Sequence, residues 1–415
     1  MEIYKFGGLS IENAGSVQKV CNIIRNNTQK ELVVVFSAMG KMTRLLGRIA
    51  EDFYNNQSAG LGDLNAFTAY HEKIMQDLDL DEDESKAVHE LLSEFEYKLL
   101  HTQRESFAFY YDQIVCYGEL ISSRILSIYL NKTGVKNRWL DVRRMIKADN
   151  SYREGRIDWE KTPALIREKI NQLEPGEIAL TQGFIAGSRE GFSITLGFEG
   201  SDYTGAVLAN SLDAKKLIIW KDVDGIMNCD PKAFENAQKI DRISFQDAAG
   251  LSFMGAKVIH PATIKPLQAK NIPLEVRSYL KENNGGTMVG DFPANTGQPV
   301  FAILRNLLLF ELRRPDHAFI GSYLPELLSI FRQEGIAFRF VHQNALEILF
   351  VADKNDEKTN RLKNSLNNEF LLKTTEVEMI GIKYPDEDTC NILSKGREVI
   401  VESRSKDHRT LIVKA

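Results

Sequence analysis

The residues from Thr195 to Asn210 are of the types that gather an anion. Phe192, Ile194 and Leu196 alternate along a predicted strand, and Val207, Leu208 and Ser211 follow at helical spacing. Between them Gly197-Phe-Glu-Gly-Ser-Asp202 forms a turn ending in two residues of the kind that cap helices. A strand that turns through glycines into a helix leaves backbone N–H groups free at one point, backed by the positive end of the helix dipole. Phosphates fit such a point. Many α/β proteins make the same turn and bind nothing there, so other segments must decide.

The elements around that turn read as an α/β fold. Ile3–Phe6 is a short strand carrying Lys5, broken at once by Gly7 and Gly8, and Ser10 or Asn13 can cap the helix that follows. Glu31–Phe36 is a nearly unbroken β-branched run, as in a strand buried on both faces of a parallel sheet. It runs into a small-residue loop, Ser37–Thr43, and another helix. This βαβα start puts both loops beyond the carboxyl ends of the strands, where ligands of such sheets bind. From Gly60 to about Arg104 the chain reads as helices, with an acidic cluster at residues 79–84 that lacks the glycine and spacing of a calcium loop. Glu119, near a helix start, either balances the helix dipole or serves as a ligand. Further strands are predicted at 137–143, 177–186 and 216–220, the last leaving through the turn Lys221-Asp-Val-Asp-Gly225. Pro261 opens a helix after Gly255-Ala-Lys257.

Loop composition at 283–286 and 291–299 sets a domain boundary, giving a catalytic domain at 1–290 and a regulatory or dimerising region at 298–415. The second part reads strand, helix, strand, strand, helix, strand, an α+β βαββαβ unit, followed by an incomplete second such unit.

Composition narrows the classes. The chain has 415 residues, enough for two or three domains, with 43% hydrophobic and 26% charged residues, as in a soluble globular protein. A net charge of −5 gives no reason to expect nucleic acid or an acidic membrane. The four cysteines form no CxxC pair and read as buried thiols of a reducing cytoplasm. The seven histidines form no HExxH, so no metal site is expected from protein ligands. No leader or membrane span is expected.

Ten segments taken together resemble the aspartate kinases, members of the amino-acid kinase family with C-terminal ACT domains. They are Lys5–Ser10, Phe36–Gly40 with Thr43, Gly118–Leu120, Asp141–Arg143, Thr181–Ile185, Thr195–Gly197, Gly200–Thr204, Lys221–Gly225, Asp230-Pro231 and Gly255–Thr263. Each is weak alone; the ordered set is specific. The resemblance implies an amino-acid kinase fold, a mainly parallel sheet between helices. It also implies transfer of the γ-phosphoryl of MgATP to the β-carboxylate of L-aspartate, the first step towards lysine, threonine and methionine. Lys5, Asp202 and Lys257 are then catalytic. Gly7, Gly8, Ser201, Lys221, Asp222, Met227, Lys232 and Val258 bind the nucleotide, and Thr43 and Glu119 bind the acceptor. Magnesium is held mainly through the ATP phosphates, and a homodimer through the ACT-like region is implied.

The chain departs from the family where it matters. The family has Thr where this chain has Leu9, and its Thr-Leu-Gly-Arg-Gly-Gly-Ser-Asp turn has Phe198 and Glu199 here. In the family that arginine holds a carboxylate of aspartate; losing such a charge-assisted contact costs on the order of 1.5–3 kcal/mol. Arg44, next to Thr43, is the expected replacement by adjacency. A paralogue acting on another amino-acid carboxylate, or a weakly active or non-catalytic sensing subunit, stays open. In the ACT-like part Ser322-Tyr-Leu324 stands where the family has Gly-Phe-Leu, and Arg339, Asn344 and Ala345 stand at its effector positions, which speaks against the usual feedback inhibition.

Overall fold

The computed structural model describes residues 1–55, 60–255, 259–293, 297–366 and 369–415. Two compact units are found. The first comprises 1–226, 239–249 and 258–294, and the second 227–238, 250–257 and 295–415. The division is therefore not a single cut: two excursions of the N-terminal part cluster with the second unit.

In the first unit the strands are β1 (Glu2–Phe6), β2 (Leu32–Phe36), β3 (Asn137–Leu140), β4 (Ile178–Gln182), β5 (Ile185–Gly187), β6 (Ser193–Thr195), β7 (Lys216–Lys221), β8 (Arg242–Ser244), β9 (Leu274–Ser278) and β10 (Thr287–Gly290). The helices are α1 (Ala14–Arg25), α2 (Met42–Asn55), α3 (Leu61–Asp77), α4 (Glu82–His101), α5 (Phe107–Val115), α6 (Tyr117–Lys132), α7 (Thr162–Ile170) and α8 (Gly200–Ser211), with α9 (Phe245–Phe253) crossing to the second unit and α10 (Pro261–Gln268) back in the first. Eight strands form one sheet in the order β3-β4-β2-β1-β7-β9-β10-β8. All pairs from β3 to β9 are parallel; β10 runs antiparallel to β9. β2 and β4 are buried along their whole length, as the β-branched run predicts for strands covered on both faces. β1 lies at the centre, with the chain leaving it to β2 on one side and β7 pairing on the other. That is a topological switch point, and the crevice beyond the carboxyl ends of β1, β2 and β7 is where such sheets bind ligands.

Three details differ from the sequence reading. The predicted strand 177–186 is broken at Gly183 and Phe184, the latter at φ +69°, and β5 pairs instead with β6 in a separate ribbon. Residues 141–143 leave β3 as a short 3-10 turn capped by Asp141. β9 and β10 are added strands. β9 hides Glu275 by pairing it with Lys216 at 3.0 Å and Arg277 at 2.8 Å, so its sequence lacks the apolar run of a buried strand.

In the second unit β11 (Val300–Arg313), α11 (Leu324–Gln333), β12 (Phe338–Gln343), β13 (Glu347–Asp353), α12 (Asp356–Ser365) and β14 (Leu371–Lys383) form the expected βαββαβ order. α13 (Glu387–Ser394), β15 (Val399–Arg404) and β16 (His408–Lys414) complete it. The sheet is antiparallel, β12-β13-β11-β14-β16-β15. Alternation on β11 sends Leu308, Phe310 and Leu312 into a core with Leu327 and Phe331 of α11, and Leu307 and Leu309 into a second cluster with Val377 and Ile412. All four cysteines are buried and unpaired. Among the described residues no helix is long and apolar enough to cross a membrane.

Candidate active site

Lys5 sits one residue from the end of β1, Lys221 ends β7, and Asp202 lies in the first turn of α8. The three meet. Lys5 Nζ is 2.5 Å from Asp202 Oδ1 and Lys221 Nζ is 3.3 Å from Asp202 Oδ2. Burial opposes ionisation of Asp202, which is 2% exposed, but the two ammonium groups outweigh it and hold its carboxyl below the ordinary value. Burial likewise works against the charge on Lys221, and Asp202 with Glu199 reverses it, so its pKa is raised. One buried carboxylate thus bridges two lysine side chains, which places cationic groups at a point where an anion can be met.

The turn that carries Asp202 is built differently from expectation. The helix starts at Gly200, and the N-cap is Glu199 at φ +54°, following Gly197 at φ +77°. Ser201 and Asp202 therefore belong to the first turn and do not cap. Two glycines admit backbone close to this point. A Cβ on Gly8 would lie 2.5 Å from the Ala38 carbonyl oxygen, and one on Gly183 would lie 2.6 Å from Ser201 Cβ.

A cavity of about 900 Å³ opens over these groups and is also lined by Gly8, Ser37, Ala38, Gly40 and Thr43 from the two loops. Glu119 of α6 forms part of its wall and is 2% exposed. Its Oε1 accepts from the Ala38 N–H at 3.3 Å, while Oε2 is buried with no partner among the described residues. Burial pushes its carboxyl up to about 8, against hydrogen bonds from Ala38 and Thr43 and the charge of Lys5. A buried carboxylate with one empty oxygen is a seat for a cation.

Another part of the lining is unforeseen in the sequence. Asp112 of α5, fully buried, accepts from the N–H of Arg153 at 3.0 Å and from the N–H of Thr195 at 2.9 Å, and from the Thr195 hydroxyl at 2.7 Å. Burial raises its pKa to about 6 even so. It ties the 150–155 loop to the strand that feeds the 197–202 turn, and Gly155 N–H adds a bond to the Thr195 carbonyl at 3.0 Å. Tyr111, Tyr152, Arg153, Glu154 and Phe184 line the cavity here. Of these, only Phe184 lies in one of the ten segments; no short motif marks Tyr111, Tyr152, Arg153 or Glu154.

The structure brings Lys5, Gly8, Thr43, Glu119, Ser201, Asp202 and Lys221 to one cavity. Gly7 does not line it, but a Cβ added there would lie 3.7 Å from Lys5 Nζ, and Asp222 is exposed just past Lys221. Arg44 is exposed and does not line the cavity, because α2 starts at Met42 and turns it away from Thr43's side. Met227 and Lys232 fall in segment 227–238, which belongs to the second unit. Lys257 and Val258 lie outside the described residues. Phe198 lines the cavity and is 75% exposed. Among the described residues no group of three His, Cys, Asp or Glu side chains is placed to hold a metal ion.

Comparison with known proteins gives three kinds of match. A family model described as the amino acid kinase family matches residues 1–278. The chain is 28% identical over 355 residues to lysine-sensitive aspartokinase 3 of Escherichia coli (strain K12), which covers 85% of this chain and 78% of that one. It is 26% identical over 382 residues to the chloroplastic bifunctional aspartokinase/homoserine dehydrogenase 2 of Arabidopsis thaliana, covering 89% of this chain; it spans only 42% of that longer protein. Among solved structures, E. coli aspartokinase III in complex with aspartate and ADP (R-state) superposes with a TM-score of 0.85 at 24% identity, over 100% of this chain and 96% of that one, which shows a shared fold.

Proposed function

The chain belongs to the amino acid kinase family, and from that premise we propose that it transfers the γ-phosphoryl group of ATP to the β-carboxylate of L-aspartate, giving 4-phospho-L-aspartate and ADP. The observation that carries the proposal is the pairing, in one cavity, of a Lys5–Asp202–Lys221 cluster with the half-satisfied carboxylate of Glu119. The first suits phosphate; the second suits the α-ammonium of an amino acid. An acceptor carboxylate is ionised at neutral pH, so no general base is required. The acceptor oxygen attacks Pγ, the Pγ–O bond to ADP breaks, and Lys5 and Lys221 stabilise the charge on the transferred group. Asp202 positions both lysines. Magnesium, carried on the triphosphate, neutralises phosphate charge.

In this reading Gly7, Gly8 and Ser201 present N–H groups to the phosphates. Asp222, Met227, Lys232 and Val258 serve the nucleoside end, and Lys257 is a further phosphate ligand. Residues 1–290 are the catalytic part, and 298–415 a regulatory part through which two copies pair. The product enters the route to lysine, threonine and methionine. Phe198 sustains a second reading, a paralogue for another amino-acid carboxylate or a weakly active sensing subunit, because it brings no charge to the turn.

Trapping the acyl phosphate as a hydroxamate, with ATP, Mg²⁺ and a panel of amino acids, separates them. Signal that depends on L-aspartate supports the proposal. Signal with a different acid points to the paralogue, and neither signal nor ATP binding points to the sensor.

A further inference from the structure

The acceptor proposed above is a zwitterion with a second carboxylate, and the cavity must meet that charge. Three cations line it among the described residues: Lys5, Lys221 and Arg153. The two lysines are held by Asp202 at 2.5 and 3.3 Å. Arg153 makes no ion pair within 4 Å among the described residues; its guanidinium lies over the ring of Tyr111, 4.7 Å from the centroid, and Tyr111 is itself a cavity residue. The backbone beneath it is fixed. Arg153 sits at φ +72°, its N–H is taken by the buried Asp112, and its carbonyl oxygen lies 3.4 Å from where a Cβ on Gly197 would stand, beside the turn that carries Asp202. A left-handed backbone on a non-glycine residue persists only where its surroundings hold it. A guanidinium fork on a rigid stem is the side chain best suited to grip a carboxylate.

We propose that Arg153 takes the α-carboxylate of the acceptor whose ammonium Glu119 seats, and so supplies the specificity for an α-amino acid that Phe198 does not. The inference rests on reading the cleft as an amino-acid carboxylate kinase.

The test is steady-state kinetics of the full chain, its R153A and its R153K variants, with L-aspartate and with its α-amide as acceptors, alongside titration of each protein with a non-hydrolysable ATP analogue. The expected result is a KM for L-aspartate about tenfold to a hundredfold higher in R153A, with kcat nearly unchanged. The KM for the α-amide should be the same in both, R153K should recover part of the loss, and the affinity for the analogue should not move. An unchanged KM for L-aspartate overturns the proposal. So does an equal rise for both acceptors, which is what a merely structural role produces. Wild-type protein that binds the analogue but phosphorylates no amino acid overturns the functional reading and this inference with it.

Discussion

The two units handle charge in opposite ways. The first buries it: Asp112, Glu119, Asp202, Glu275 and Lys5 are all less than a tenth exposed. The second keeps it at the surface. Among the described residues of 300–415 no Asp, Glu, Lys or Arg is buried, and its ion pairs, such as Arg313–Glu347 at 2.6 Å and Arg339–Asp353 at 2.8 Å, are solvent-facing. Buried charge costs stability unless paired, whereas exposed pairs contribute little either way. In the first unit Lys5, Glu119 and Asp202 carry that cost at one cavity, while Glu275 is paired within the sheet by Lys216 and Arg277. The second spends its sequence on apolar packing of both sheet faces.

This contrast can be broken by mutation. Asp202→Asn leaves two ammonium groups without their shared partner, and Lys5→Ala removes one; each should lower kcat by about 10²–10³, read by the hydroxamate assay. If either variant keeps wild-type turnover, the cluster is structural. Phe331→Ala in the second unit should cost about 3–5 kcal/mol in denaturant unfolding while leaving the acceptor KM alone. Glu119→Gln should raise the acceptor KM about tenfold to a hundredfold with ATP affinity kept. The same variant should gain stability over wild type as pH rises. Burial lifts the folded-state pKa of Glu119 to about 8, above its unfolded value, so its contribution is full below the unfolded pKa and is lost as pH rises through 8. Unfolding at pH 5 and at pH 8 checks that sign. Adding the guanidinium back, in the R153A/F198R double variant, should reverse most of the rise in acceptor KM seen in R153A. The smallest effect is expected from Arg339→Ala, below about 1 kcal/mol.

Much of the fold and part of the site were legible in the sequence, for local reasons. β1, β2, β4 and β7 announce themselves as apolar runs, and Lys5, Gly8, Thr43, Glu119, Ser201, Asp202 and Lys221 lie in short segments at strand ends and helix starts. What escaped depends on contacts across the chain. β9 is stabilised by Lys216 and by Arg277 against Trp220, which no periodicity reveals. Arg153 is placed by Asp112, 41 residues away in sequence, and by a positive φ that its residue type does not advertise. Arg44 is adjacent to Thr43 in sequence, but neighbours on a helix point about 100° apart. The Lys221–Asp202 contact joins the end of β7 to the start of α8, which no local pattern links.

Glu119, buried and half-satisfied, with burial raising its pKa, is the group that receives the ammonium of the acceptor in this reading. Calorimetric titration of L-aspartate into the protein saturated with a non-hydrolysable ATP analogue, at pH 7 in buffers of different ionisation enthalpy, measures the protons exchanged on binding. The wild type should release a large fraction of a proton, and Glu119→Gln none. Binding with no proton release in the wild type, or equal release in both proteins, would contradict it.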